Sequence, residues 1–168
     1  AHRSSSLAQS HTAQPGVYDT VVKNLDATYT LTRKNQVKLN FDASNRLGTI
    51  VEPNGNTLTL NHNGSGLLIS VVDATGRTLT LAYNGSNQLP SVTDPVNRQW
   101  TLTYDGNNRP WKVQDPLSYT VVFVYDASAR ISSVTDKRGN VWSFQYDASN
   151  PPTHVTNPLL GTRPYPWQ

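Results

Sequence analysis

Apolar and polar residues alternate in short runs along this chain, and the alternation returns every 21 residues. In one such run, Leu102 and Tyr104 alternate with Thr101 and Thr103. A two-residue alternation is typical of a β-strand with one apolar and one polar face. The aromatic column of this repeat contains Phe41, Tyr83, Tyr104, Tyr125, Tyr146 and Trp167, with His62 filling its gap. A fixed period in this range indicates a repeat architecture.

Two turns separate the strands of each repeat. The first turn follows the aromatic residue, and the pairs Asn63-Gly64, Asn84-Gly85 and Asp105-Gly106 predict tight hairpins at residues with positive φ. The second turn opens at an acidic column that contains Glu52, Asp73, Asp94, Asp115 and Asp136. Side chains repeated in every unit favour turn formation over catalysis, which needs a unique pair of acids. A ladder of calcium sites along the second column is the alternative.

The second strand of each repeat is irregular. Its apolar residues, such as Leu47 and Ile50, are three positions apart, which predicts a β-bulge or a twist. The pattern as a whole predicts an all-β fold, a repeat array of antiparallel β-hairpins that form a twisted, spiralling sheet. A β-solenoid with one coil per 21 residues is the alternative. The predicted aromatic ladder, with Tyr83, Tyr104, Tyr125 and Tyr146 on one face, is expected to be buried.

Three segments are expected along the chain. Residues 1–16 lack periodicity and predict a flexible or docking N-terminal arm, and residues 17–35 predict N-terminal cap strands. Residues 36–168 form the repeat array, with a proline-rich C-terminal end. Pro164 and Pro166 lie two positions apart, which predicts a strand edge closed to further pairing. The alternative is that residues 164–167 leave the sheet as a polyproline II segment and dock elsewhere.

Composition narrows the function classes. The chain has no cysteine, so disulfides and thiolate metal sites are excluded, and no histidine pair has the spacing of metal ligands. The net charge of +3 is scattered and does not favour a nucleic-acid partner. No apolar run approaches the roughly 20 residues of a membrane span. We therefore expect no catalytic residue, metal or cofactor. Trp111 and Tyr119 lie outside the repeat columns and are the candidate exposed contacts.

The repeat resembles the YD-repeat, or Rhs-repeat, family. Tyr104-Asp105-Gly106, Arg109, Val113 and Asp115 are similar to that family's tyrosine-aspartate, glycine, arginine, valine and aspartate pattern, and six units keep one register. The resemblance covers about residues 26–167. It implies hairpins in a long spiralling sheet, which in large bacterial toxins and teneurin-like proteins closes into a hollow shell around a cargo. Such shells need many more repeats than are present here.

Two functions follow from these observations. The first is a non-enzymatic, self-associating extracellular fibre or matrix subunit that assembles head to tail through its sheet ends and its N-terminal arm. The alternative is a segment of an Rhs-type toxin-encapsulating shell. The chain starts at Ala1 and has no methionine, which suits a processed, secreted product or a piece of a longer chain.

Overall fold

A computed structural model describes residues 9–11, 18–147, 152–159 and 161–164 of the protein. All regular secondary structure in these ranges is β-strand. The chain divides into two compact units, Ala1–Leu81 and Ala82–Gln168.

Within the described residues, the first unit contains strands β1 to β8. They are β1 (Gln9–His11), β2 (Thr20–Lys23), β3 (Tyr29–Thr32), β4 (Lys38–Phe41), β5 (Leu47–Val51), β6 (Thr57–His62), β7 (Leu68–Val72) and β8 (Thr78–Ala82). Each strand pairs antiparallel with the next one in sequence.

The second unit repeats this plan in its described part. Its strands are β9 (Ser91–Thr93), β10 (Gln99–Tyr104), β11 (Pro110–Gln114), β12 (Thr120–Tyr125), β13 (Ile131–Thr135), β14 (Val141–Tyr146), β15 (Pro152–Asn157) and β16 (Gly161–Pro164). They also pair antiparallel in sequence order. The predicted array of antiparallel hairpins is confirmed. The solenoid alternative is wrong, because strands pair with their sequence neighbours and not with the equivalent strand one repeat away.

A β-bulge stands at the same place in successive repeats and explains the three-residue spacing. Tyr104 pairs with Pro110 while Thr103 pairs with Lys112, which leaves Trp111 as the extra residue. Equivalent register shifts leave out Gly48, Ile69, Ser132 and Thr153. Because one residue is skipped, Leu47 and Ile50 point to the same face of the sheet.

The aromatic column is only half-buried. No hydrophobic side chain is fully buried among the described residues, and Tyr83, Tyr104, Tyr125 and Tyr146 are all of intermediate exposure. The expectation of a buried ladder is therefore too strong. Within each unit a strand contacts only its sequence neighbours, so neither unit places a second layer of its own over the apolar face of its described strands. The alternation of apolar and polar residues predicts which face of the sheet each residue occupies, but it does not predict whether another layer covers that face.

The opposite face carries hydrogen bonds between polar side chains of neighbouring strands. In the first unit, Thr30 Oγ1 donates to Asn40 Oδ1 over 3.0 Å, and Asn40 Nδ2 donates to Thr49 Oγ1 over 2.9 Å. Asn61 Nδ2 likewise donates to Ser70 Oγ over 2.9 Å. Such cross-strand pairs stabilise a sheet face that stays in contact with water.

The predicted terminal segments are described only in part. Strand β1 lies in the predicted arm, and β2 and β3 lie in the predicted cap. The remainder of residues 1–16, together with Pro166 and Trp167, lies outside the described residues. Pro164 is the last residue of β16.

Both turns of the repeat share one geometry, which differs from the predicted one. In the turn after Tyr104, Asn108 N–H donates to Asp105 C=O over 3.0 Å, and Asp105 N–H donates to Arg109 C=O over 2.8 Å. Positive φ falls on Asn108, at 62°, and the prediction of positive φ at Asp105-Gly106 is wrong. The loop has three residues and consists of a type I turn followed by a left-handed residue. The position that requires positive φ is therefore two residues beyond Gly106.

Replacing Ala129 by glycine is expected to stabilise the protein. Ala129 has a φ of 63°, a region that costs an L-residue about 1–2 kcal/mol. Glycine removes that cost but adds entropy to the unfolded chain, so we expect a net gain of about 0.5–1 kcal/mol in the free energy of unfolding. Urea denaturation measures the gain. Ala127→Gly, in the same turn but without positive φ, is the control. An equal gain in both variants would contradict the explanation.

Candidate functional site

Most turns of the repeat are closed by the side chain of their first residue. Asp105 Oδ1 accepts the backbone N–H groups of Asn107 and Arg109, both over 2.9 Å, and Asp105 Oδ2 accepts Arg109 Nε over 2.8 Å. We call this arrangement the turn clasp. It recurs with the pairs Asp42–Arg46, Asp73–Arg77, Asp94–Arg98 and Asp126–Arg130, and these copies lie in both turn columns.

Other turns keep only the backbone part of the clasp. Asn63 Oδ1 accepts the N–H groups of Ser65 and Leu67, both over 3.0 Å, without a cation. In the turn of Asp136, Asn140 Nδ2 takes the place of the guanidinium, at 2.9 Å. Since asparagine supports the turn with one oxygen, the two backbone hydrogen bonds are its essential feature.

The clasp lowers the pKa of its carboxylates. The backbone N–H of Arg109 is the largest cause for Asp105, and the Arg109 side chain adds to it. The pKa values of Asp42 and Asp126 are lowered by the corresponding N–H groups of Arg46 and Arg130. Each of these donors favours the charged form of the carboxyl group, so it remains a carboxylate well below its ordinary pKa.

The arginine of one repeat also contacts the tyrosine of the next repeat. The guanidinium carbon of Arg109 lies 4.4 Å from the centre of the Tyr125 ring, and that of Arg130 lies 4.5 Å from the Tyr146 ring. The hydroxyl of Tyr125 donates to the C=O of Pro110 over 2.7 Å, next to Arg109. The turn clasp therefore holds a cation over the next aromatic ring, and that ring bonds back to the end of the same turn.

We call this contact the tyrosine bridge, and it recurs in the second unit. Tyr146 donates its hydroxyl hydrogen to the C=O of Ile131 over 2.7 Å, and Tyr104 donates to that of Leu89 over 3.2 Å. In the first unit the equivalent column holds Phe41 and His62, which have no hydroxyl group. The aromatic column is thus a chain of contacts between repeats, and its strength depends on the residue type in each copy.

Most acids of the two columns accept hydrogen bonds within their own turns. Both oxygens of Asp73 and of Asp94 accept hydrogen bonds within their own turns. Among the residues that the structure describes, no three His, Cys, Asp or Glu side chains are grouped to hold a metal ion. Asp115 binds only backbone N–H groups of its turn, and Glu52 is exposed. The acids of these columns therefore stabilise the turns at which the strands end.

The remaining candidates are divided by exposure. Tyr119 is 52% exposed at the second turn of its repeat. Trp111 is half-buried, and Lys112 Nζ lies 5.3 Å from its ring centre.

A depression of about 360 Å³ in the first unit is lined by Ile50, Leu58 and Arg77, among other residues. In the described part of the chain there is no helix long and apolar enough to cross a membrane.

The sequence did not reveal the tyrosine bridge. An arginine does recur five residues after Phe41, Tyr104 and Tyr125, as Arg46, Arg109 and Arg130. That period was the available signal. It could not show that the guanidinium reaches the ring one repeat ahead, because this contact depends on the register of the paired strands.

Comparison with known proteins places these features among shell repeats. The family model described as "Teneurin YD-shell" matches residues 4–165. The fold is similar to a chain of the Photorhabdus luminescens Tc holotoxin pore, with a TM-score of 0.54 and 15% identity over 83% of this chain and 7% of that one. It is also similar to a chain of TcdB2-TccC3-Cdc42, with a TM-score of 0.53 and 16% identity over 83% of this chain and 8% of that one. Comparison with curated proteins gives no match.

Removing the hydroxyl group of Tyr125 is expected to destabilise the array. Tyr125→Phe keeps the ring under Arg109 but loses the 2.7 Å hydrogen bond to Pro110. We expect a loss of about 0.5–1.5 kcal/mol in the free energy of unfolding, measured by urea denaturation. The matched control is Tyr119→Phe, because Tyr119 is exposed at a turn. The bridge has no energetic role if both variants behave alike.

Acid is expected to weaken the turns. The pKa of Asp105 is lowered in the folded chain, so the stability it contributes is present above the unfolded-state value of about 3.9 and is lost as the pH falls below it. The urea concentration at the unfolding midpoint should therefore decrease as the pH is lowered from about 6 to about 3.

Asp105→Asn tests the cause of this loss. Asparagine closes the equivalent turns at Asn63 and Asn84 through the same backbone hydrogen bonds but does not titrate. The variant should fold, and its stability should decline less with acid than that of the parent. If the variant loses as much stability in acid as the parent, protonation of Asp105 is not a cause of the loss.

Proposed function

Because the chain belongs to the teneurin YD-shell family, we propose that it forms a stretch of the wall of a hollow protein shell. The chain spans 7% and 8% of the lengths of the two toxin chains to which its fold is similar. Its role is then architectural, and closure of a shell requires many more repeats than it contains.

The observation that carries this proposal is a sheet with two different faces and no core of its own. The described strands have an apolar face that is only half-buried and an opposite face of hydrogen-bonded threonine, asparagine and serine side chains. A free-standing domain would cover its apolar face with a second layer. A wall one sheet thick needs no such layer if the apolar face is turned away from bulk water.

The apolar face is proposed to line the interior of the shell, where it contacts an enclosed polypeptide. The similarity to holotoxin components supports a toxin segment as that cargo and a site of action outside the cell that makes the protein. The role of the turn acids as hydrogen-bond acceptors supports a wall without catalytic activity.

The extracellular fibre is the weaker hypothesis. It was based on open sheet ends and on an arm that docks onto a neighbouring copy. Only β1 of that arm lies in the described residues, where it pairs with β2 of its own chain. The shell hypothesis agrees better with the family and with the holotoxin similarity.

Cysteine accessibility in the product of the native gene tests the shell. This segment contains no cysteine, so one introduced on either face is its only thiol, and labelling is compared with that of the unaltered product. Leu102→Cys lies on the apolar face, and Thr103→Cys is the adjacent, exposed control on the polar face. A bulky maleimide is expected to label residue 103 rapidly and residue 102 only after denaturation.

Equal labelling of both positions in the native product would contradict an enclosed apolar face. Negative-stain electron microscopy of the same material separates the two hypotheses. Hollow particles are expected for a shell, and extended filaments would instead favour the fibre.

A further inference from the structure

The residues at the tips of the turns differ between the two edges of the repeats. We define the tip as the third residue of each five-residue turn. Among the described residues, the tips after the aromatic column are exposed and polar, and they are Ser44, Ser65, Ser86, Asn107 and Ser128. On the second-turn edge of the second unit the tips include Val96, Leu117 and Leu159, which are 67%, 77% and 83% exposed. We call these three residues the apolar tip row.

The turn itself does not require apolar side chains at these positions. The N–H of Leu117 donates to Asp115 Oδ1 over 2.9 Å, just as the N–H of Asn107 donates to Asp105 Oδ1 over 2.9 Å. In the first unit the same edge has Asn54 and Thr75 at its tips. Since the backbone hydrogen bonds at Leu117 and Asn107 are equivalent, closure of the turn does not require an apolar side chain at the tip.

The charges at this edge are unevenly presented. Arg138 is an exposed tip between Leu117 and Leu159, and Lys137 beside it is also exposed. The side chain of Arg98 is 63% exposed, whereas its partner Asp94 is only 9% exposed. Asp136 is half-buried and bound within its own turn. The edge therefore presents cationic and apolar side chains to solvent while its carboxylates are engaged.

We propose that the second-turn edge of the second unit binds the surface of an anionic lipid bilayer. Val96, Leu117 and Leu159 insert between the headgroups, and Lys137 and Arg138 bind the phosphate and carboxylate groups of the lipids. Tyr119, exposed beside Leu117, has the apolar ring and polar hydroxyl that suit the interfacial layer. This binding is independent of the wall function proposed above.

The arrangement of the tips favours lipid over a protein partner. Tips of successive repeats are two strands apart, roughly 10 Å. Each apolar side chain thus projects alone from its turn, and a protein partner would need a separate pocket for every one. A fluid lipid surface accepts isolated side chains wherever they insert, and its negative charge attracts the cations around them.

Co-sedimentation of the full chain with vesicles tests the proposal. Binding is expected to vesicles of phosphatidylcholine with phosphatidylserine, to be weak with phosphatidylcholine alone, and to decrease as salt is added. Val96→Asn/Leu117→Asn introduces the residue that occupies the equivalent tip at Asn54. We expect it to reduce the affinity by roughly tenfold for each side chain withdrawn from lipid. The matched control on the other edge is Ser86→Asn/Ser128→Asn, which should bind like the parent.

A second measurement does not depend on the double variant. The cysteine-free chain can carry a polarity-sensitive dye at Leu117→Cys or at Asn107→Cys. Anionic vesicles should shift the emission of the dye to shorter wavelength at residue 117 and not at residue 107. Failure of the parent to sediment with anionic vesicles, or equal emission shifts at both positions, would overturn the proposal. So would self-association without lipid that the double variant abolishes, because the tips would then form a protein contact.

Discussion

The structure depends on one short-range interaction, the acceptance of two backbone N–H groups by a single side-chain oxygen at the start of most turns of the repeat. In the copy at Asp105 this oxygen bonds the third and fifth residues of the turn, and so it fixes where one strand ends and the next begins. The second oxygen then binds Arg109 and holds its guanidinium over Tyr125 in the next repeat. A local turn element is in this way connected to a contact between repeats.

The period of the sequence was enough to predict the strands, the antiparallel hairpins and the two turns of each repeat. It also predicted the bulge, because Leu47 and Ile50 can share a face only if one residue is skipped. The position of the left-handed residue was not predictable in the same way. Asparagine or glycine holds that place in most turns, but Ser118 and Ala129 hold it in two others, and the more visible Asp105-Gly106 pair indicates a different turn.

The candidate site was predictable in its residues and not in its contacts. Asp and Asn at the turns were interpreted as hydrogen-bonding residues, and their side chains are found in that role. The reach of Arg130 to Tyr146 and the bond of Tyr146 to Ile131 depend on strand register, which a repeat period leaves undetermined. Burial was overestimated for a similar reason, since alternation assigns a residue to a face and does not show what lies against that face.

The tyrosine bridge has a mechanical consequence. In an array whose elements contact only their neighbours, stability is a sum of local terms, and the array opens where one of those terms is smallest. In the first unit His62 stands in the aromatic column, one repeat after Arg46, and it has no hydroxyl with which to bond the preceding turn. Phe41, the other member of this column in the first unit, also lacks a hydroxyl group. Under a pulling force the first unit would therefore yield in the repeats of Phe41 and His62, and hydrogen exchange would reveal early opening there. A column position without tyrosine thus marks a point where a wall of this kind would separate first.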